Sequence, residues 1–397
     1  MKYRPALLCV PVVALVLGPL SCGDDDGVAD TTTETTGEGD GDPGDGDGDG
    51  DGDGDGDSGD GDDGDDGDED SGDGDEDSGD GDGDGDGDGD SGDTGDGDGD
   101  PGPGFDCAPN LDPVILTLMG GQSARYPTIA TAVFAAPDGA LVQICPGTYD
   151  ENVIVDGDIE IQGAGPGQTI WEPNTGAALV LDANDVTVRD MTFTGGTGSD
   201  VPGGFEEKCG GALHVRDKFN TERVALLENL EFDANEAGVG GALCVSGATY
   251  ATAPVVTIND CTFTNNTAHH HGGAIMMRGR FHMNNTRLID NVAEGAGGAI
   301  FLNFGCKTAE QCTINDSVLI RNTAGDRMWV GGGAMWIGSF YNGASGVTVT
   351  NSDFGFDVAE QNIPDDVLMS YGMANESYES YGNGVSFVCD DGVCSDP

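Results

Sequence analysis

Four cationic side chains offer the sequence's best route to chemistry. Arg216, Lys218, Arg278 and Arg280 are the candidate catalytic residues, with Asp217 and His282 beside them. A Lys or Arg next to a bound uronate could take its proton, and nearby carboxylates could hold the calcium that such a lyase needs. Arg216 and Arg278 stand at the same offset after Gly210-Gly211-Ala212 and Gly272-Gly273-Ala274, so they are expected to share a face. Outward charges that keep a strand edge solvated would give the same pattern. A glycosidase would instead need two carboxylates facing each other at a set distance, and this acidic sequence holds too many to single out a pair.

His269-His270-His271 could hold Zn²⁺ or Cu²⁺ and would titrate near pH ~6.5. In an extended run adjacent side chains point to opposite sides, so at most two could share an ion. The run is expected to be a polar loop, and neither a metal nor a cofactor is expected. Eleven cysteines point to an oxidising compartment. Spacing suggests Cys306 with Cys312 as a loop clip and Cys389 with Cys394 as a tail clip. Cys107 with Cys145 would staple the start of the fold, and Cys209 with Cys244 would join neighbouring repeats. Cys261 is left over and suits a small, buried apolar position. There is no C-x-x-C pair, so zinc or redox chemistry is not expected.

Whatever positions these residues begins well inside the chain. Lys2 and Arg4 precede a mostly apolar stretch from Ala6 to Leu20, too short and too broken by Pro11 to span a bilayer, which reads as a signal peptide. Leu20-Ser21-Cys22 resembles the lipobox of bacterial lipoproteins, which implies acylation at Cys22 and a membrane anchor. Residues 23–104 hold 37 of the 74 acidic residues and no Lys or Arg. Such a Gly-Asp segment has nothing to bury and is expected to be a disordered tether. A neutral Gly-rich chain of its length would span roughly 50 Å, and charge repulsion extends it. Asp45-Gly46-Asp47-Gly48-Asp49-Gly50 opens like an EF-hand loop, but the twelfth position is Gly56, where the loop needs Glu.

Residues 105–397 carry a net charge of −25, which argues against nucleic acid and against anionic lipid surfaces. An internal repeat fixes their architecture. Gly-Gly-Ala recurs with alanines at Ala212, Ala242, Ala274, Ala299 and Ala334. Between them lie apolar centres at Phe193, Phe232, Phe263, Leu288, Leu319 and Phe354. Three residues before each stands Asp190, Asn229, Asp260, Asn285, Asp316 or Asn351. Three after stands Gly196, Asn235, Asn266, Asn291, Asn322 or Asp357. Period-two apolar residues, as in Val256-Thr257-Ile258, predict short half-buried strands; Gly pairs and Asx residues predict tight bends. One such turn cannot bury its inner face alone, so turns stack at ~4.8 Å and the repeated asparagines form a ladder. The second residue after each repeat alanine is His214, Cys244, Met276, Phe301 or Trp336. Alternation turns these outward, as an apolar stripe in which Met276, Phe301 and Trp336 are candidate binding residues unless loops or the tail cover them.

Gly272-Gly273-Ala274-Ile275 and Gly297-Gly298-Ala299-Ile300, with Phe263-Thr264-Asn265-Asn266, resemble the GGAI and FxxN repeats of chlamydial polymorphic outer-membrane proteins. The resemblance covers roughly 182–360 and implies a β-helical surface protein or adhesin. Those proteins end in an outer-membrane β-barrel that has no counterpart here, so display is expected to rest on the lipid. Ile144-Cys145-Pro146-Gly147-Thr148-Tyr149-Asp150-Glu151-Asn152 and Ile161-Gln162-Gly163-Ala164-Gly165 are similar to the first coils of pectin-lyase-like right-handed β-helices. That likeness implies a capping helix, for which Tyr126 to Ala136 fits.

The expected fold is therefore all-β: a right-handed parallel β-helix, or solenoid, with a short N-terminal capping helix after a disordered acidic tether. Its parts are a signal peptide (1–22), the tether (23–104), the cap and first coils (105–181), the repeat coils (182–363) and a C-terminal cap or tail (364–397). The expected role is a non-catalytic cell-surface lipoprotein of the outer membrane, adhesive or binding a glycan or protein. The alternative is a polysaccharide lyase or glycosidase of the pectin-lyase-like fold.

Overall fold

The computed structural model describes residues 106–200, 208–216, 223–246, 254–303, 306–325, 331–339, 346–355, 358–371, 374–379, 384–390 and 393–397. Cys22, the tether, Asp217, Lys218 and Asp357 lie outside them. The described chain is an all-β parallel solenoid with one short α-helix and one 3-10 turn, Ala309–Gln311. Leu213–Arg216, Leu243–Ser246, Ile275–Met277, Ile300–Asn303 and Met335–Ser339 pair in parallel within a nine-stranded sheet. Val255–Asn259, Arg280–Asn284, Cys312–Asn315 and Val347–Ser352 pair the same way in a seventeen-stranded sheet. Glu236–Val239, Thr267–His271, Val292–Ala293 and Thr323–Ala324 form the third.

The repeated residues mark the corners. Asp190, Asn229, Asp260, Asn285, Asp316 and Asn351 all have positive φ, between 46° and 62°. Asx side chains tolerate that left-handed geometry better than most, which is why they recur there. At the opposite corner Gly272 has φ +68°, and a Cβ on Gly273 would stand 2.0 Å from the Gly298 carbonyl oxygen, so the coils can close only on glycine.

Inside, the apolar centres fall in register. The rings of Trp171, Phe193, Phe232 and Phe263 stack at 5.6, 5.2 and 4.5 Å, and Leu288 and Leu319 continue the column. All six are fully buried, each worth about 1.5–3 kcal/mol as removed apolar surface.

Two polar ladders run beside that column. Asn235, Asn266, Asn291 and Asn322 are buried, and each Nδ2 donates to the next Oδ1 at 2.9 to 3.1 Å. The next rung is Asn362, which the fixed spacing of the repeat misses because the last coil carries an insertion; the expected row had Asp357 there. At the other end Gly196 contributes its backbone N–H to Asn235 Oδ1. The second ladder is made of short hydroxyls. Thr286, Ser317 and Ser352 each donate to the carbonyl two residues earlier, and the Thr286 and Ser317 amides donate to the next hydroxyl. Cys261 fills the same rung, its thiol 3.1 Å from the Asn259 carbonyl. The leftover cysteine thus stands where the neighbouring coils place Thr and Ser.

Ile129–Ala135 is the cap helix, its N-terminus held by Thr128 and by the Glu151 carboxylate on the Ile129 and Ala130 amides. Disulfides join Cys107–Cys145, Cys209–Cys244, Cys306–Cys312 and Cys389–Cys394, and Cys261 is free and buried. No helix among the described residues is long and apolar enough to cross a membrane.

Candidate functional site on the outer faces of the coil

The apolar stripe is a stack, but not an exposed one. His214, Cys244, Met276, Phe301, Trp336 and Leu368 are register partners on successive coils. Met276 is 3% exposed and Phe301 and Trp336 are each 1% exposed, so the stripe is covered and these three do not form the open contact patch that was the other reading. They form a second apolar cluster with Cys209, Ala296 and Val239, residues that precede the Gly-Gly corners. His271 stacks on Phe301 at 4.4 Å, and Phe301 on Trp336 at 4.2 Å with 3° between ring planes. The sequence showed the alternation but not that the segment entering each Gly-Gly corner packs over the strands that leave it.

The histidine run does not converge on one point. His269 lies between two carboxylates from neighbouring coils, 2.8 Å from Glu236 and 3.2 Å from Glu294, which raise its pKa above the ordinary value. His271 accepts the Ala296 amide and is pushed down to about 4, by burial first and then by His270 and Arg278.

Arg216 and Arg278 do share a face. Arg216 is in register with Ser246, and Arg278 follows Met277, the partner of Val245. Arg216 reaches the Asp182 carboxylate at 3.5 Å. Arg280 lies across the corner, opening a strand of the seventeen-stranded sheet opposite Val255. Among the described cationic candidates, Arg216 and Arg278 thus stand along one sheet and Arg280 opens a strand of another, and Arg216 is in an ion pair.

A different surface is more regular. On the outer side of the seventeen-stranded sheet, Thr257, His282, Thr313 and Thr348 form one row, and Asn259, Asn284, Asn315 and Thr350 form the row beside it. Asn284 donates to Asn259 at 2.9 Å and Asn315 to Asn284 at 3.0 Å, while His282 Nδ1 is 3.1 Å from the Thr313 hydroxyl. Thr350 is exposed and the other seven are partly buried, and the three asparagines, His282 and Thr313 hold one another in place. The rows bear no carboxylate over four coils of a domain with net charge −25. Further toward the N-terminus the same face becomes charged, with Arg189 held by Glu160 and Asp190 at 2.6 and 2.8 Å. The signal is present in the sequence, as the residues alternating with the core positions just before each Asx corner, but His, Thr and Asn share those positions and no single residue type repeats.

Among known proteins, residues 260–276 match the Chlamydia polymorphic membrane protein repeat. No curated protein matches the chain. The matched segment runs from the Asp260 corner through Phe263 in the core column and Asn266 in the ladder to the Gly272-Gly273 corner and Met276. Its landmarks are therefore the residues that shape a coil, and this chain is similar to that family in one repeat of its solenoid.

Proposed function

We propose that the chain is a non-catalytic, adhesive protein of the cell surface, held by a lipid at Cys22, and that it binds a neutral glycan along the Thr/His/Asn rows. The observation that supports this is the face itself. Hydroxyls and amides repeat at the coil spacing, already oriented by one another, so little ordering cost remains when a hydroxyl-rich chain docks. A polymer with a similar repeat can satisfy several coils at once. The matched repeat belongs to a family named for membrane proteins, which accords with a surface location.

A neutral-polysaccharide array probed with the full chain tests the reading. Thr313→Glu together with Asn284→Asp puts charge on the face without touching the core, and binding should fall by at least about tenfold (~1.4 kcal/mol). Unchanged binding in that variant would remove the face from the proposal. The lyase alternative rests on the shared face of Arg216 and Arg278. Cleavage of an acidic polysaccharide that disappears in Arg278→Ala would establish it over the binding role.

A further inference from the structure

One group of ligand-type side chains is left out of the glycan reading. Among the described residues, Cys209, His214 and Cys244 form a group of three whose sulfur and ring-nitrogen atoms all lie within 4.8 Å of one another. The solenoid brings them together. His214 and Cys244 are register partners on adjacent coils, and Cys209 bridges to Val239 of the next coil just before the Gly210 corner. They are at most 2% exposed. The two sulfurs are joined in a disulfide, and the two ring nitrogens meet Ser199 Oγ at 2.6 Å and Ser246 Oγ at 2.9 Å.

We propose that this cluster is a redox-gated site for Cu(I), closed as the Cys209–Cys244 disulfide and opened by reduction into two thiolates and the His214 imidazole. A thiol or phosphine reductant supplies two electrons to the S–S bond, and two protons from water complete the thiols. Cu(I) then replaces those two protons, which leave to solvent, and one ring nitrogen donates its lone pair with no proton released. The other nitrogen keeps its serine hydroxyl, the kind of outer partner that fixes a metal-bound imidazole.

Two features select this ion. The donors are two soft sulfurs and an imidazole, and a third sulfur, that of Met276, belongs to the coil position next to Cys244 in the same cluster. Thiolate and thioether donors favour Cu(I), whereas structural zinc takes four ligands in a tetrahedron. The site is also dry and apolar on the Phe301 side, so a low-coordinate monovalent ion loses little by leaving water.

The test uses the full chain, reduced with a phosphine under anaerobic conditions and titrated with Cu(I) against the chelator bathocuproine disulfonate. The comparison proteins are Cys209→Ser/Cys244→Ser and His214→Gln, in which the other cysteine pairs are unchanged. The wild type should hold one more Cu(I) equivalent than the double serine variant, with two sulfurs and one nitrogen in its X-ray absorption spectrum. His214→Gln should lose the nitrogen and bind that equivalent more weakly, by at least the roughly 10–100-fold that loss of an outer-shell partner costs. Copper should raise the melting temperature of the reduced wild type and not that of the double serine variant. Equal copper stoichiometry in the double serine variant overturns the proposal, as does an all-sulfur spectrum unchanged in His214→Gln. So does a reduced wild type whose β-sheet circular dichroism is lost and not restored by copper, since the coils must hold the three ligands together.

Discussion

Single residues in this solenoid act through the coil above and the coil below. Asn291 shows how much one side chain can carry. Its Oδ1 accepts from the Asn266 amide and Nδ2, and its Nδ2 donates to the Phe263 carbonyl and to Asn322 Oδ1, all between 2.9 and 3.1 Å and all buried. Asn291→Leu keeps the volume and leaves several of these groups without partners, each orphan costing about 1–3 kcal/mol. Asn184→Leu, at an exposed position, is the comparison. The first should lower the melting temperature by several degrees, at roughly 2–4 °C per kcal/mol for a domain of this size, and the second hardly at all; similar melting temperatures would refute the ladder's role. The histidines add a pH dependence of two signs. His269 has a raised pKa in the fold, so its bridge between Glu236 and Glu294 stabilises fully below its unfolded pKa of ~6.5 and fades as pH rises through the higher folded value. His271 is depressed to about 4, so its contribution is whole above ~6.5 and is lost as pH falls toward 4. Thermal melts of His269→Gln should show a loss at pH 6 that shrinks by pH 8.5. The loss is small, because the pair is exposed and surface ion pairs are worth about 0–1 kcal/mol. His271→Gln should flatten the decline between pH 6.5 and 4, and a slope equal to wild type would place the acid sensitivity elsewhere.

At the scale of the strand and its corner, the sequence was legible wherever one residue type alone meets a backbone demand. Asx residues at positive φ, glycines where backbones nearly touch, and the Phe and Leu column were readable because few side chains can serve there. The Asn ladder was readable from its spacing through Asn322, and the insertion before Asn362 hid the last rung. The hydroxyl ladder escaped notice because Thr, Ser and Cys serve alike, so no single letter repeats. That equivalence predicts an outcome. Cys261→Ser keeps a donor to the Asn259 carbonyl and an acceptor for the Leu230 amide of the preceding coil, and should change stability little. Ser317→Ala leaves the Thr286 amide and the Asn315 carbonyl without their partner and should cost about 1–3 kcal/mol in chemical denaturation. Equal midpoints for Ser317→Ala and wild type would show that the ladder is decorative. Burial also pushes the Cys261 thiol up to about 12, so alkylating reagents should label it only after the coils open. The outer faces were the least legible part, since an outward residue looks the same in sequence whether water or another segment lies over it. For that reason the sequence left open whether Met276, Phe301 and Trp336 were covered.

Across the whole molecule, the proposed anchor and the solenoid divide the work of display. Each coil touches mainly its neighbours, so stability spreads along the stack as nearest-neighbour interfaces, and the antiparallel strands at both ends cover what would be open edges. The proposed attachment rests on Cys22, at the end of the apolar leader. Acylation there would add about 0.8 kcal/mol per buried CH₂, and two or more chains hold a protein at a bilayer stably. The acidic segment that follows would be repelled by an anionic surface only within about a Debye length, roughly 8 Å at physiological salt. Cys22→Ala should therefore leave the solenoid's circular dichroism and melting temperature unchanged while moving the protein from the membrane fraction to the soluble one, or leaving it unprocessed. Raising salt should not release the wild type, because an acyl anchor is not electrostatic. Membrane partitioning that survives Cys22→Ala, or that salt abolishes in the wild type, would require a different attachment.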